Sequence, residues 1–158
     1  MVEREANEVD DAFRAILEGL RTTLPGVQVL FAFLLVLPLQ GSFADLQIVE
    51  RWAYYIAFFS AAIASIFFFA PGAHQRLRAP ITGIKRHSRR DLRATVNLSI
   101  AGTVFFAIAL TAAVFLVSML VLNETMALIV SLGVAALMGW AWFYMPLVSF
   151  GRTARDTR

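Results

Sequence analysis

The side chains that could do chemistry in this 158-residue chain are few, and they lie beside its apolar segments rather than within them. The chain has no cysteine, so disulfides, thiolate nucleophiles and cysteine-ligated zinc sites are excluded. Its two histidines, His74 and His87, have no nearby pair of carboxylates and make a poor zinc site. We therefore expect no metal and no cofactor, and ordinary loop positions for both histidines.

Catalytic and transport motifs are also missing from the sequence. There is no nucleophile elbow, no Walker phosphate loop, no HExxH and no dinucleotide-binding glycine pattern. Proton- or sodium-coupled transport normally needs ionisable groups within the membrane. Asp45, Glu50 and Glu124 all lie between apolar segments instead. The sequence predicts a protein that is not an enzyme, and it argues against an antiport cycle.

The composition shows which elements must hold these residues. Hydrophobic residues make up 59% and charged residues 16% of the chain, against about 45–50% and about 25% in soluble domains. Four stretches lack Asp, Glu, Lys and Arg, and each exceeds the roughly 20 residues that cross a bilayer as a helix. They predict an all-α integral membrane four-helix bundle without a soluble domain. We place its spans near residues 25–40, 52–70, 96–122 and 126–148.

The first 24 residues predict a separate amphipathic helix that lies on the cytoplasmic membrane surface. Acidic residues near the start exclude a secretory signal peptide. Pro25 and Gly26 would then bend the chain into the first span, and the alternative is one continuous helix kinked at Pro25. The apolar face of this segment consists of Val9, Phe13, Ile16, Leu17, Leu20 and Leu24.

The basic residues predict the orientation. Thirteen of the 14 Lys and Arg residues fall on one side of the predicted spans, and only Arg51 falls on the other. The positive-inside rule therefore places both termini, the loop 71–95 and the tail 149–158 in the cytoplasm of a bacterial inner membrane. Two roles are open for the loop 71–95. It only sets the topology, or it also binds anionic lipid headgroups or an acidic partner. Nucleic acid is not expected as a partner, because no aromatic residues interleave the arginines. Its basic residues are Arg76, Arg78, Lys85, Arg86, Arg89, Arg90 and Arg93.

Polar and small residues in the spans predict how the helices pack. We expect Gln28 to make an interhelical hydrogen bond, with Asn97 as a partner at similar depth; a ligand or ion contact is the alternative. Small residues at four-residue spacing let helix backbones approach closely, either to close a monomeric bundle or to form a self-association face. These ridges are Ala57, Ala61 and Ser65; Ser99, Thr103, Ala107 and Thr111; and Ser131, Ala135 and Gly139.

Several stretches in the first half resemble a known family: PGVQVLFAFLLVLP at 25–38, FADL at 43–46, the tyrosine pair at 54–55 and APGAHQR at 70–76. The family comprises small four-helix bacterial membrane proteins of unknown function, common in actinobacteria, some of them labelled sodium:proton antiporters. The resemblance implies the same four-helix fold and no established activity. The residues that fall on the family's recurring pattern are Gln28, Pro38, Phe43, His74 and Arg76.

Three functions remain open at the level of sequence. The leading hypothesis is a non-enzymatic membrane protein that acts as an accessory or scaffolding subunit or as a homo-oligomer. The alternatives are a small oligomeric transporter or channel, and a membrane protein that binds anionic lipid.

Overall fold

The computed structural model describes residues 2–82 and 89–145, with the side chains of residues 7–74, 76 and 90–145. The described chain is helical and contains no strand. Its helices are α1 (Val2–Val36), α2 (Ile48–Thr82), α3 (Arg89–Val121) and α4 (Glu124–Gly139). Two short 3₁₀ helices, Leu37–Leu39 and Gly41–Asp45, join α1 to α2, and a π-helical turn, Trp140–Tyr144, continues α4.

The first helix runs without a break through Pro25, which corrects the prediction of a separate surface helix ending at residue 24. Four residues spaced seven apart form one buried seam along it, with 5%, 8%, 0% and 0% of their surfaces exposed: Phe13, Leu20, Val27 and Leu34. A seven-residue repeat keeps such a seam facing neighbouring helices. The apolar face expected to lie on the membrane therefore packs within the protein, and this packing carries the helix past the proline.

The second helix also extends further than predicted. It continues through Pro71 and Pro80 to Thr82, and α3 begins at Arg89, so most of the predicted loop 71–95 is helical. Each proline removes one helical hydrogen bond. Pro71 is itself buried, so its ring gains packing that offsets part of this loss. The predicted end of the second span at residue 70 is therefore wrong, because a proline does not end a helix that is held by packing against its neighbours.

Helix α3 lies at the centre of the bundle. It packs against α1, α2 and α4, and α1 also packs against α2. No close backbone contact joins α4 to α1 or α2 in the described residues, so the four helices do not form a closed bundle. We call the end that carries residues 37–47 and 122–123 the loop end, and the opposite end, where α2 ends and α3 begins, the basic end.

Among the described residues, four helices are long and apolar enough to cross a membrane: the segments are Asn7–Leu39, Ile48–His74, Arg90–Val121 and Glu124–Tyr144. A 35-residue helix such as α1 or α2 is about 52 Å long, whereas the hydrocarbon core of a bilayer is about 30 Å thick. Because α4 and its π-helical turn are much shorter, the other three helices extend past them at the basic end.

Candidate functional sites

A buried hydrogen bond ties the end of α1 to α2. The carbonyl of Leu34 would normally accept the amide N–H of residue 38, but Pro38 has none. The hydroxyl of Tyr54 donates to this carbonyl instead, over 3.1 Å. The Tyr54 ring also packs on Phe43, with ring centroids 4.9 Å apart. Two of the residues on the family's pattern, Pro38 and Phe43, thus belong to one structural unit around Tyr54.

The connection at the loop end is held by the first turn of α2. The Glu50 carboxylate accepts the amide N–H of Gln47 at 2.8 Å, which is the side-chain half of a capping box. The Arg51 guanidinium lies 3.3 Å from the carbonyl oxygen of Leu46 and 3.4 Å from that of Ala44. Arg51 is the one basic residue that the sequence predicts for the loop end of the protein, and it holds the connection between α1 and α2 in place.

Gln28 lies on the exposed face of α1, and it makes no hydrogen bond within the described part of the chain. Asn97 is exposed as well, so the predicted bond between the two amides is not formed. Gln28 stands eleven residues from Leu39 at the loop end, or about 16 Å along the helix. That distance is about half the thickness of a hydrocarbon core. Within the described residues, this amide on an outward face of α1 therefore has no hydrogen-bond partner.

An open groove of about 730 Å³ separates α2 from α4. Helix α3 forms its floor through Ala107, Ile108 and Thr111, and its lining is almost entirely apolar. The two hydroxyls in it are already bonded within their helices: Thr111 donates to the carbonyl of Ala107 at 2.8 Å, and Ser131 to that of Ala127 at 2.6 Å. Apart from the indole N–H of Trp52 on α2, which makes no hydrogen bond within the described part of the chain, the lining is apolar and suits a hydrocarbon occupant.

The π-helical turn shapes the end of this groove nearest the basic end. Phe143 and Gly139 line the groove there, while the ring of Trp142 stacks on Phe106 with centroids 6.0 Å apart. A Cβ added at Gly139 would meet no atom within 4 Å. The room beside Gly139 is thus left unused by the described part of the protein.

The predicted small-residue ridges have different surroundings. Ala57 and Ala61 are fully buried in the core between α1, α2 and α3. Ser65, Ser99 and Thr103 are half-buried and donate to carbonyls of their own helices. The other five small residues line the open groove: Ala107, Thr111, Ser131, Ala135 and Gly139.

A glycine outside the predicted ridges lies in close contact with α2. A Cβ built on Gly102 would lie 2.7 Å from Cε1 of Phe68, whose ring is buried. This contact was missed because Gly102 has no small residue four positions away on either side that faces the same neighbour. Phe68 belongs to a second core cluster that includes Leu20 and Val27 of α1. This cluster therefore joins α1, α2 and α3 at one level.

The basic residues are only partly within the described chain. Arg76 and Arg93 are exposed, as is Arg90, which interacts with another residue. Lys85, Arg86 and His87 lie outside the described residues, as do the side chains of Arg78 and Arg89. His74 is exposed, and its Nδ1 lies 3.2 Å from the carbonyl oxygen of Ala70 in its own helix. Among the described residues, no group of three His, Cys, Asp or Glu could hold a metal ion.

The model of a family of unknown function (DUF6328) matches residues 2–146 of the chain. No curated protein and no solved structure matches the chain.

Proposed function

Because the chain belongs to this family of unknown function (DUF6328), we propose its role from its own structure: a non-enzymatic integral membrane protein that acts by lateral association. It is an accessory or scaffolding subunit, or a homo-oligomer, of a bacterial inner membrane. The distribution of Lys and Arg supports an orientation with both termini in the cytoplasm.

The observation that carries this proposal is the exposed amide of Gln28. A polar side chain facing hydrocarbon without a hydrogen bond is costly, and polar residues join transmembrane helices by bonding across their interface. Because no described side chain of the same protein bonds Gln28, its partner comes from another polypeptide. A second copy supplies the simplest partner, since one glutamine amide can donate to and accept from another.

The test is native mass spectrometry of the full chain, tagged and extracted gently from its own membranes. We expect an oligomer, or a stoichiometric complex with another membrane protein, that is lost in Gln28→Met. This variant keeps the side-chain length and removes the hydrogen bond. The matched control is Val29→Met, at a neighbouring position that is 70% exposed, which should leave the assembly intact.

Two results would overturn the proposal. The first is a monomeric intact protein without a protein partner. The second is an assembly that survives Gln28→Met, because the amide would then play no part in it. Both variants should keep the helix content of the intact protein, since both positions are exposed.

A further inference from the structure

The floor of the groove continues along α3 toward the basic end as an exposed strip. Its members are spaced four, three, four and four residues apart, so they share one face of the helix. All five are exposed: Arg93, Asn97, Ile100, Val104 and Ile108. The π-helical turn after α4 meets α3 at the level of Phe106, where the ring of Trp142 stacks on it. Beyond this level the strip is exposed in the described structure.

The strip and the groove together are charged and polar at one end and apolar along the rest, as a phospholipid is. Arg93 supplies a cationic guanidinium and Asn97 an amide. These are followed along α3 by apolar side chains and then by a groove whose lining is almost entirely apolar. Asn97 stands ten residues from Ala107, where the groove begins on α3, which is about 15 Å along the helix. That length is about half of the 30 Å hydrocarbon core, or one leaflet.

We infer that this face of α3 binds an anionic phospholipid from the leaflet at the basic end. The phosphate group lies against Arg93 and Asn97, and one acyl chain passes Ile100 and Val104 into the groove beside Gly139. Charge complementarity selects this occupant over a second transmembrane helix, since an apolar helix would leave the Arg93 charge uncompensated. The site is separate from the proposed contact at Gln28 on α1.

The acyl-chain end is tested by filling the groove. The full chain is reconstituted in vesicles of phosphatidylcholine and phosphatidylglycerol, extracted into mild detergent, and analysed by native mass spectrometry for retained lipid. Gly139→Leu should lose the bound lipid, and its new side chain enters space that holds no atom within 4 Å of a Cβ. Gly133→Leu is the matched control, because a Cβ there also meets nothing and Gly133 does not line the groove.

The headgroup end is tested by removing one charge. The intact protein should retain phosphatidylglycerol in excess of its share in the vesicle. Arg93→Gln should lower this excess about five-fold, the effect expected from one arginine near an anionic headgroup, while the number of bound lipids stays the same. Arg76→Gln is the control, since Arg76 is also exposed near the basic end but lies on α2.

The inference is overturned if Gly139→Leu retains as much lipid as Gly133→Leu. It is also overturned if Arg76→Gln lowers the phosphatidylglycerol excess as much as Arg93→Gln, because general surface charge would then explain the preference. A change of oligomeric mass in Gly139→Leu without a loss of lipid would show that a polypeptide occupies the groove. Should Gly139→Leu fail to fold, Ala135→Leu fills the same groove from one turn earlier in α4.

Discussion

The hydroxyl of Tyr54 lies 3.1 Å from the carbonyl oxygen of Leu34, the acceptor that Pro38 leaves without an amide donor. In a membrane-spanning segment, backbone groups must find their partners within the protein because the hydrocarbon offers none. A side chain from α2 thus completes the hydrogen bonding of α1. The same contact fixes the level at which the two helices meet.

Loss of the Tyr54 hydroxyl should destabilise the fold. Tyr54→Phe leaves the buried Leu34 carbonyl unpaired, and we expect it to lower the free energy of unfolding by about 1–3 kcal/mol. The measurement is reversible unfolding in mild detergent. Tyr55→Phe is the control, because Tyr55 is exposed and its hydroxyl makes no such bond. In a Pro38→Ala background, residue 38 regains an N–H, so Tyr54→Phe should lower the free energy of unfolding clearly less. An equal loss in both backgrounds would contradict this account.

A methyl group at Gly102 should disturb the contact between α2 and α3. The added Cβ would lie 2.7 Å from the buried Phe68 ring, and overpacking of this kind costs about 1–3 kcal/mol. The measurement is the shift in unfolding temperature of Gly102→Ala. Gly133→Ala is the control, since a Cβ there meets nothing, and it should be neutral or slightly stabilising. Phe68→Leu should recover part of the stability in the Gly102→Ala background but not in the intact chain.

The carboxylate of Glu50 should contribute to the start of α2. Glu50→Ala removes the acceptor for the Gln47 amide, and loss of a cap costs about 1 kcal/mol. Glu50→Gln should keep most of this stability, because glutamine serves in the same position of a capping box. Asp45→Ala, at an exposed carboxylate in the same connection, is the control. Equal losses of stability in Glu50→Gln and Glu50→Ala would contradict this account, because the negative charge of Glu50, and not its hydrogen bond to Gln47, would then stabilise α2.

The packing of the first half of α1 gives a test of its unbroken path. Leu20 is buried against the cluster that contains Phe68, so Leu20→Ala should lower the free energy of unfolding by about 2–5 kcal/mol. Leu39→Ala, at a residue that is 82% exposed, should change it little. A helix lying on the membrane surface would instead lose membrane affinity and leave the stability of the bundle unchanged. Unfolding measurements of both variants distinguish these cases.

The sequence by itself determined the number and kind of the helices. Its charge-free stretches of more than about 20 residues are apolar throughout and do not alternate as barrel strands do. In a bilayer such stretches satisfy their backbone hydrogen bonds as helices, so four apolar helices follow from composition and spacing. The sequence also identified Gln28 as an amide in need of a partner, and the small residues that let helices approach. It favoured a separate helix before Pro25 and ended the second span at residue 70, whereas both helices continue further. A proline costs a helix one hydrogen bond, and packing that a local pattern does not contain can offset this cost.

Only the tertiary structure decided which of these residues meet. Ala57 and Ala135 stand on similar ridges in the sequence, yet the first is fully buried and the second lines an open groove. The pairing of Tyr54 with Leu34, and the close approach of Gly102 to Phe68, depend on the level at which antiparallel helices are placed side by side. The physical reason is that a helix's own sequence fixes its apolar faces, whereas the neighbour each face receives depends on the packing of the whole bundle.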